Sequence, residues 1–207
     1  LTDFGIGVVE RMNKLGMLID LSHCGYKTTT DVLEVSDDPV AFTHTNVRAI
    51  NDLCRCKYDD EMKALTEKGG VIGITAIARF VSKEGGKQGA TIDHFLDQID
   101  YVASLVGVDH VGIGLDIWEG ITKEEFYGIH NQAYNSMKYD RYWGGATLRF
   151  PSGEDYPFEH CYVFGLDSCS KMRVVTRGLL ARGYSDQEVL KILGQNWLRL
   201  FKRVWRD

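Results

Sequence analysis

Residues 16–23 read GMLIDLSH. A glycine opens the stretch, a mostly apolar run follows from Met17 to Leu21, and the polar pair Ser22-His23 closes it. A short apolar run bounded in this way predicts a buried strand. Residues 39–44, PVAFTH, repeat the pattern, with a strand expected over Val40–Thr43 and again a histidine at its end. Between them, residues 25–35 carry Val32, Leu33 and Val35 on one side of an expected helix, and Ser36-Asp37-Asp38-Pro39 supplies the turn. Strand, helix, strand is the unit of a parallel sheet. It places both histidines on the rim formed by the carboxyl ends of the strands, where β/α folds keep their chemistry.

The same alternation extends outward. Upstream, Thr2-Asp3 caps an expected helix with Phe4, Val8, Val9, Met12 and Leu15 at helical spacing, and Gly16 ends it. Downstream, 45–58 is an irregular polar loop, and a helix is expected over Asp59–Glu67 until Gly69-Gly70 breaks it. A third strand, VIGIT, spans Val71–Thr75, and its internal Gly73 implies close backbone approach. A Lys/Gly loop over 82–89 leads to a Thr91-capped helix ending at Val106, with Phe95, Leu96, Ile99, Val102, Ala103 and Val106 on one face. A fourth strand, HVGIG (His110–Gly114), runs into Leu115-Asp116. Helices are expected again over 168–182, 185–193 and 196–204, the second opened by the capping pair Ser185 and Glu188. The class is α/β with a parallel sheet covered on both faces, in a single domain over 1–207. Residues 117–160, rich in Trp, Tyr and Phe, read as an insertion after the last strand. That segment is either a lid or pocket wall, or an aromatic packing loop or oligomer contact.

Composition removes other classes. The chain has 207 residues, 44% of them hydrophobic, and a net charge of −5 without any basic run. Nucleic acid is therefore not an expected partner. No apolar run reaches the ~18 residues of a membrane span, and no signal peptide is recognised. The sequence opens at Leu1, already in a helical pattern, so it reads as a piece of a longer chain. Five irregularly spaced cysteines suit reduced thiols in a cytoplasmic protein.

A lone histidine at a strand end is more often structural than functional. Two at equivalent positions, 21 residues apart across one unit, point to a shared site on His23 and His44. Neutral imidazole is a common zinc ligand, and neighbouring strands lie only ~4.8 Å apart. Asp116 adds a carboxylate to the same rim, able to ligate a metal or carry a proton. Arg48 and Arg55 follow His44, and an arginine fork matches a substrate carboxylate, although a surface role is the simpler expectation for either. His94, His110, His130 and His160 are not expected to ligate.

Four stretches, LTDFGIGVVERMNKLGMLIDLSH, AFTHTNVRAI, GGVIGIT and HVGIGLD, together with the closing GLLARGYSDQEVLKILGQNWLRLF, resemble the membrane (renal) dipeptidase family of zinc peptidases. The resemblance spans nearly the whole chain in order. It implies a (β/α)8 barrel with two zinc ions at the carboxyl ends of the strands, hydrolysing dipeptides through a metal-activated water. By the family's motifs, His23 and His44 are zinc ligands, Asp116 handles the proton and Arg55 binds the substrate carboxylate. The family's Arg-Asn context is here Arg55-Cys56, and Glu119 matches a second acid only loosely. The family's first-strand His-x-Asp pair occurs nowhere in the sequence. The chain therefore corresponds to the last four β/α units and the C-terminal helices, with a metal site only partly encoded. A homodimer or larger oligomer, or a missing N-terminal half, would complete it. The alternatives are another metal-dependent amidohydrolase and a non-catalytic half-barrel scaffold that oligomerises.

Overall fold

A computed structural model describes residues 1–126 and 157–206. Most of the segment read as an insertion, including His130, therefore lies outside the described residues.

Helix α1 (Asp3–Lys14) begins where expected, with the Thr2 hydroxyl accepting from the Gly5 amide at 3.2 Å. Gly16, at φ +66°, turns the chain out of it. The next stretch departs from expectation. Met17–Leu21 is not a strand, and it joins the sheet through a single parallel bridge, Asp20 to Ala41. Its flanks explain this. The Met17 amide donates back to Met12 O at 3.0 Å, and the Ser22 amide turns onto the Asp20 carboxylate at 3.0 Å. With both ends committed locally, only two ladder bonds remain, Leu21 N–H to Ala41 O at 2.8 Å and Ala41 N–H to Ile19 O at 3.0 Å.

After helix α2 (Tyr26–Val35), strands β1 (Ala41–Thr45), β2 (Val71–Ile74) and β3 (Val111–Ile113) form a parallel sheet in that order. Among the described residues the sheet thus has three strands and one bridged segment, where four strands were expected. β1 also runs two residues further than expected, so His44 lies inside a strand. Its pairing with β2 slips between Phe42 and Thr45, so Thr43 and His44 sit at a bulge, a device that re-aims side chains. β3 ends at Ile113, but two more bonds carry the chain on to the rim: Gly114 N–H to Ile74 O and Ala76 N–H to Leu115 O, each at 3.0 Å.

Helices α3 (Asp59–Glu67) and α6 (Ile92–Val106) match their expected spans. The expected Lys/Gly loop instead contains a one-turn helix, α5 (Gly85–Gln88), just after another, α4 (Ala78–Val81). Gly85 allows this because a Cβ there would lie 1.8 Å from Ala78 O. The tail begins with a 3₁₀ turn at Cys169–Lys171, so α7 (Arg173–Ala181) starts later than expected. α8 (Asp186–Leu190) uses the Ser185–Glu188 capping box and continues through a wide turn, Lys191–Gln195, into α9 (Asn196–Val204).

Alternation along the strands divides the packing. Phe42, Ile72 and Ile74 join Met62, Leu65, Phe95, Leu96, Ile99, Leu179 and Ile192 in the main core, while Ala41 and Val71 meet Leu200 and Val204 of α9. Trp197 lies across β2 and β3, its indole N–H donating to Ile113 O at 3.1 Å. Gly73 and Gly112 make room for that ring, since a Cβ on either would come within 3 Å of it.

Gly114 packs even more closely, with 1.9 Å between a built Cβ and Thr43 O. Gly114→Ala should lower stability by about 1–3 kcal/mol through overpacking. Denaturant unfolding measures this, and an unchanged midpoint would contradict the observed contact.

Candidate active site

The turn after Leu21 and the bulge in β1 bring two rings together. His23 Nε2 and His44 Nε2 are 2.9 Å apart, with the ring planes tilted by 54°. Beneath them the Asp20 carboxylate ties the two chain segments. It accepts from the Ser22 amide and hydroxyl at 3.0 and 2.5 Å, and from the Thr43 amide and hydroxyl at 3.0 and 2.6 Å. Partial burial raises the Asp20 pKa, but these four donors outweigh it and hold the carboxyl below its ordinary range.

This network sets the state of His44. The Thr43 hydroxyl spends its one hydrogen on Asp20, so at 2.7 Å from His44 Nδ1 it can only accept. His44 therefore carries its proton on Nδ1 and turns a bare Nε2 lone pair towards His23. The Ser22 hydroxyl, likewise committed to Asp20, accepts from the His44 amide at 3.0 Å. Partial burial lowers the pKa of both histidines, and Arg55 adds to the effect, so the neutral imidazole that ligates metals is favoured.

Arg55 is buried between the two segments. Its guanidinium donates to Ser22 O at 2.6 Å and to His44 O at 2.8 Å, and approaches His23 Nε2 at 3.2 Å. Among the described residues, half-buried Asp116 is the non-glycine residue in the left-handed region, at φ +57°. Such backbone costs about 1–2 kcal/mol for an L-residue, least for Asp or Asn, and it clusters at functional positions. The Asp116 charge opposes the lowering of both histidine pKa values and that of Arg55, so all four expected residues share one electrostatic environment.

The remaining candidates have other work. Arg48 pairs with Asp52 at 2.6 Å and covers the Tyr58 ring. His94 Nδ1 accepts from the Thr91 amide at 3.1 Å as part of the α6 cap. His110 and His160 bond the carbonyls of Gly70 and Lys87, each at 2.8 Å. Glu119 holds the Cys169 amide at 2.5 Å. Asp20, Ser22 and Thr43 were not singled out in the sequence, although the spacing Asp-x-Ser-His, followed by Thr-His on the next strand, is their signal.

With the His44 Nε2 lone pair bare, the 2.9 Å contact is a hydrogen bond from His23 Nε2–H. With that proton on Nδ1 instead, both Nε2 atoms are lone-pair donors aimed at one point, and the pair fits a metal ion. It fits only in part. Zinc takes four ligands, and among the described residues no group of three or more His, Cys, Asp or Glu side chains gathers.

Histidine nitrogens gathered at the carboxyl-end rim of a parallel sheet suit a metal-dependent enzyme built on a β/α fold. Sequence relatives narrow that class: residues 1–131 match the model of the membrane dipeptidase family, peptidase family M19, and the chain belongs to that family. It is 30% identical over 200 residues to dipeptidase verJ of Clonostachys rogersoniana, covering 97% of this chain and 40% of that protein. Dipeptidase tcpJ of Claviceps purpurea is also 30% identical, with 37% of its length covered. Among solved structures, an amidohydrolase from Pseudomonas aeruginosa superposes with TM-score 0.80 and 30% identity, over 99% of this chain and 57% of that one. A metallopeptidase from Rhodobacter sphaeroides, liganded with a phosphinate mimic of L-Ala-D-Ala, shares the fold at TM-score 0.74 and 24% identity, with 47% of its chain covered. The chain thus spans about two fifths of those curated relatives. Members of the family are metallopeptidases, which implies a metal.

Thr43→Val removes the acceptor that fixes His44. The ring should then populate both tautomers in ¹⁵N–¹H ring correlation spectra, with stability reduced by about 1–2 kcal/mol. A His44 ring signal identical to that of the parent would contradict the tautomer assignment.

Proposed function

We propose that this chain carries the C-terminal half of a zinc-dependent dipeptidase, four β/α units of a (β/α)8 barrel that supply part of a two-zinc site. The observation that carries this proposal is the His23–His44 pair, with Nε2 atoms 2.9 Å apart at the rim. Family membership and the likeness to a larger amidohydrolase support it. The missing ligands come from outside the described residues, either from further chain of the same protein or from a second copy. Association also suits the sheet, since β1 and β3 are its outer strands and β3 has no further strand neighbour among the described residues. A cytoplasmic location fits the cysteine usage.

When bound, zinc acidifies a water and polarises a carbonyl oxygen. The protein's own residues do the rest. His23 and His44 hold metal through Nε2, with the His44 proton parked on Nδ1. Asp116 takes the proton of the attacking water on its carboxylate and delivers it to the leaving amine. Arg55 directs its remaining N–H hydrogens and its charge to the terminal carboxylate of a dipeptide while staying anchored to Ser22 and His44. The strained backbone at Asp116 fixes that carboxylate against the rim.

A second enzymatic possibility, a different metal-dependent amidohydrolase, is favoured by the P. aeruginosa likeness alone. A panel of dipeptides, lactams and lactones separates the two. The third, a non-catalytic oligomerising scaffold, predicts no turnover of any of them.

With its site completed, by a second copy or by further chain of the same protein, the protein supplied with zinc should hydrolyse dipeptides, and Asp116→Asn should lower kcat by about 10²–10⁴-fold with zinc content unchanged. His23→Ala and His44→Ala should each lose zinc. Absence of hydrolysis under these conditions would support the scaffold. Two tightly held zincs in a monomer would contradict the partial site.

A further inference from the structure

We propose that Lys57 is a positioning residue for His23, acting through the backbone that carries it. Residues 45–58 read as a polar loop, yet the Lys57 side chain is only 3% exposed and that of its partner Glu61 only 2%. All three ammonium hydrogens are placed: Nζ donates to Cys24 O at 2.7 Å, to Thr29 Oγ1 at 3.1 Å and to Glu61 Oε1 at 3.3 Å. The Phe42 ring lies 4.7 Å from the charge.

Cys24 O is the carbonyl of the residue after His23, one peptide group beyond the histidine's own carbonyl. The carbonyl of the residue before His23, Ser22 O, accepts from Arg55 at 2.6 Å. Two buried cations thus hold carbonyls of the residues before and after one histidine. Their spacing explains how. The Lys57 amide donates to Asn46 O and the Lys57 carbonyl accepts from the Arg48 amide, at 2.9 and 3.0 Å, making a parallel bridge with Val47. A turn closed by Cys56 N–H on Leu53 O at 2.9 Å sets Arg55 two residues before this bridge, and both side chains reach the His23 turn. Cys56 between them is buried, its Sγ directed to Phe80 O.

Burying an ammonium is expensive, and an apolar side chain of similar volume often stabilises a core as well or better. The bond to Cys24 O gives the charge a task that an apolar group cannot perform. With the carbonyls of Ser22 and Cys24 both held, the turn carrying His23 is braced on either side, and its Nε2 keeps its aim at His44. Outer partners of this kind typically change metal affinity by about 10–100-fold when removed.

This assignment rests on the metal-site proposal for zinc binding, but not for ring geometry, and the experiment separates the two. Lys57→Met combined with Glu61→Gln removes both charges together, so no buried ion is stranded. The new side-chain amide keeps an acceptor for the Tyr58 amide that Glu61 now holds at 3.0 Å. Glu61→Gln alone breaks the ion pair but leaves Lys57 on Cys24 O. Three quantities are read on the full 207-residue protein: the ring ¹⁵N–¹H signals of His23 and His44 without metal, zinc affinity by chelator competition, and thermal unfolding. The double variant should shift or broaden His23 while sparing His44, and weaken zinc binding by about tenfold or more. Glu61→Gln alone should lower the melting temperature yet leave His23 and zinc affinity as in the parent. Unchanged His23 signals in the double variant, or equal effects in both variants, would overturn the assignment. If the parent takes up no zinc, the metal-site proposal fails and the ring signals alone decide whether Lys57 positions His23.

Discussion

The Asp20 carboxylate is the point on which the rim depends. It belongs to a segment that touches the sheet through one bridge, and it accepts four hydrogen bonds from residues on both sides of the future site. Without it the His23 turn and the β1 bulge lose both bonds from Thr43 to Asp20 and keep the His44 amide on the Ser22 hydroxyl, and the Thr43 hydroxyl is free to donate to His44 instead of accepting. One carboxylate thus joins two segments, orders two hydroxyls and, through Thr43, fixes the tautomer of His44. The cationic side chains complete the frame from the other side. Arg55 spans Ser22 O and His44 O, and Lys57 secures the chain beyond His23.

The sheet behind this rim is built for close approach. Glycines at 73, 112 and 114 leave no room for a Cβ, because Trp197 and the Thr43 carbonyl occupy that space. Asn196, the residue before Trp197, holds Val108 O and Val111 O at 2.8 and 2.7 Å, so α9 is keyed to the base of β3 by two adjacent side chains. The C-terminal helix therefore positions β3, and β3 delivers Asp116. Residues more than 80 positions apart in sequence meet in this way.

Much of the scaffold was legible because it rests on local chemistry. Thr2, Gly16, Thr91 and Ser185 mark helix ends through caps and turns that need only neighbouring residues, and each does so in the structure. Position and family motif single out His23, His44, Arg55 and Asp116; the first three meet through hydrogen bonds, and the Asp116 charge acts on all of them. What was not legible depended on competition between partners. The apolar run Met17–Leu21 has the composition of a strand, but Met12 O and the Asp20 carboxylate capture its flanking amides. The register slip at Thr43–His44 arises from pairing with β2, which no single segment encodes. Lys57 looks like a loop lysine until the Val47 bridge turns it inward.

The central claim is that His23 and His44 face one cation position at the strand ends. Diffraction at the zinc absorption edge, on crystals of the protein grown with zinc, tests it most directly. The account predicts an anomalous peak within about 2.2 Å of both Nε2 atoms, with Thr43 Oγ1 still on His44 Nδ1. Zinc bound elsewhere, or a rim in which the two rings point apart without it, would contradict the account.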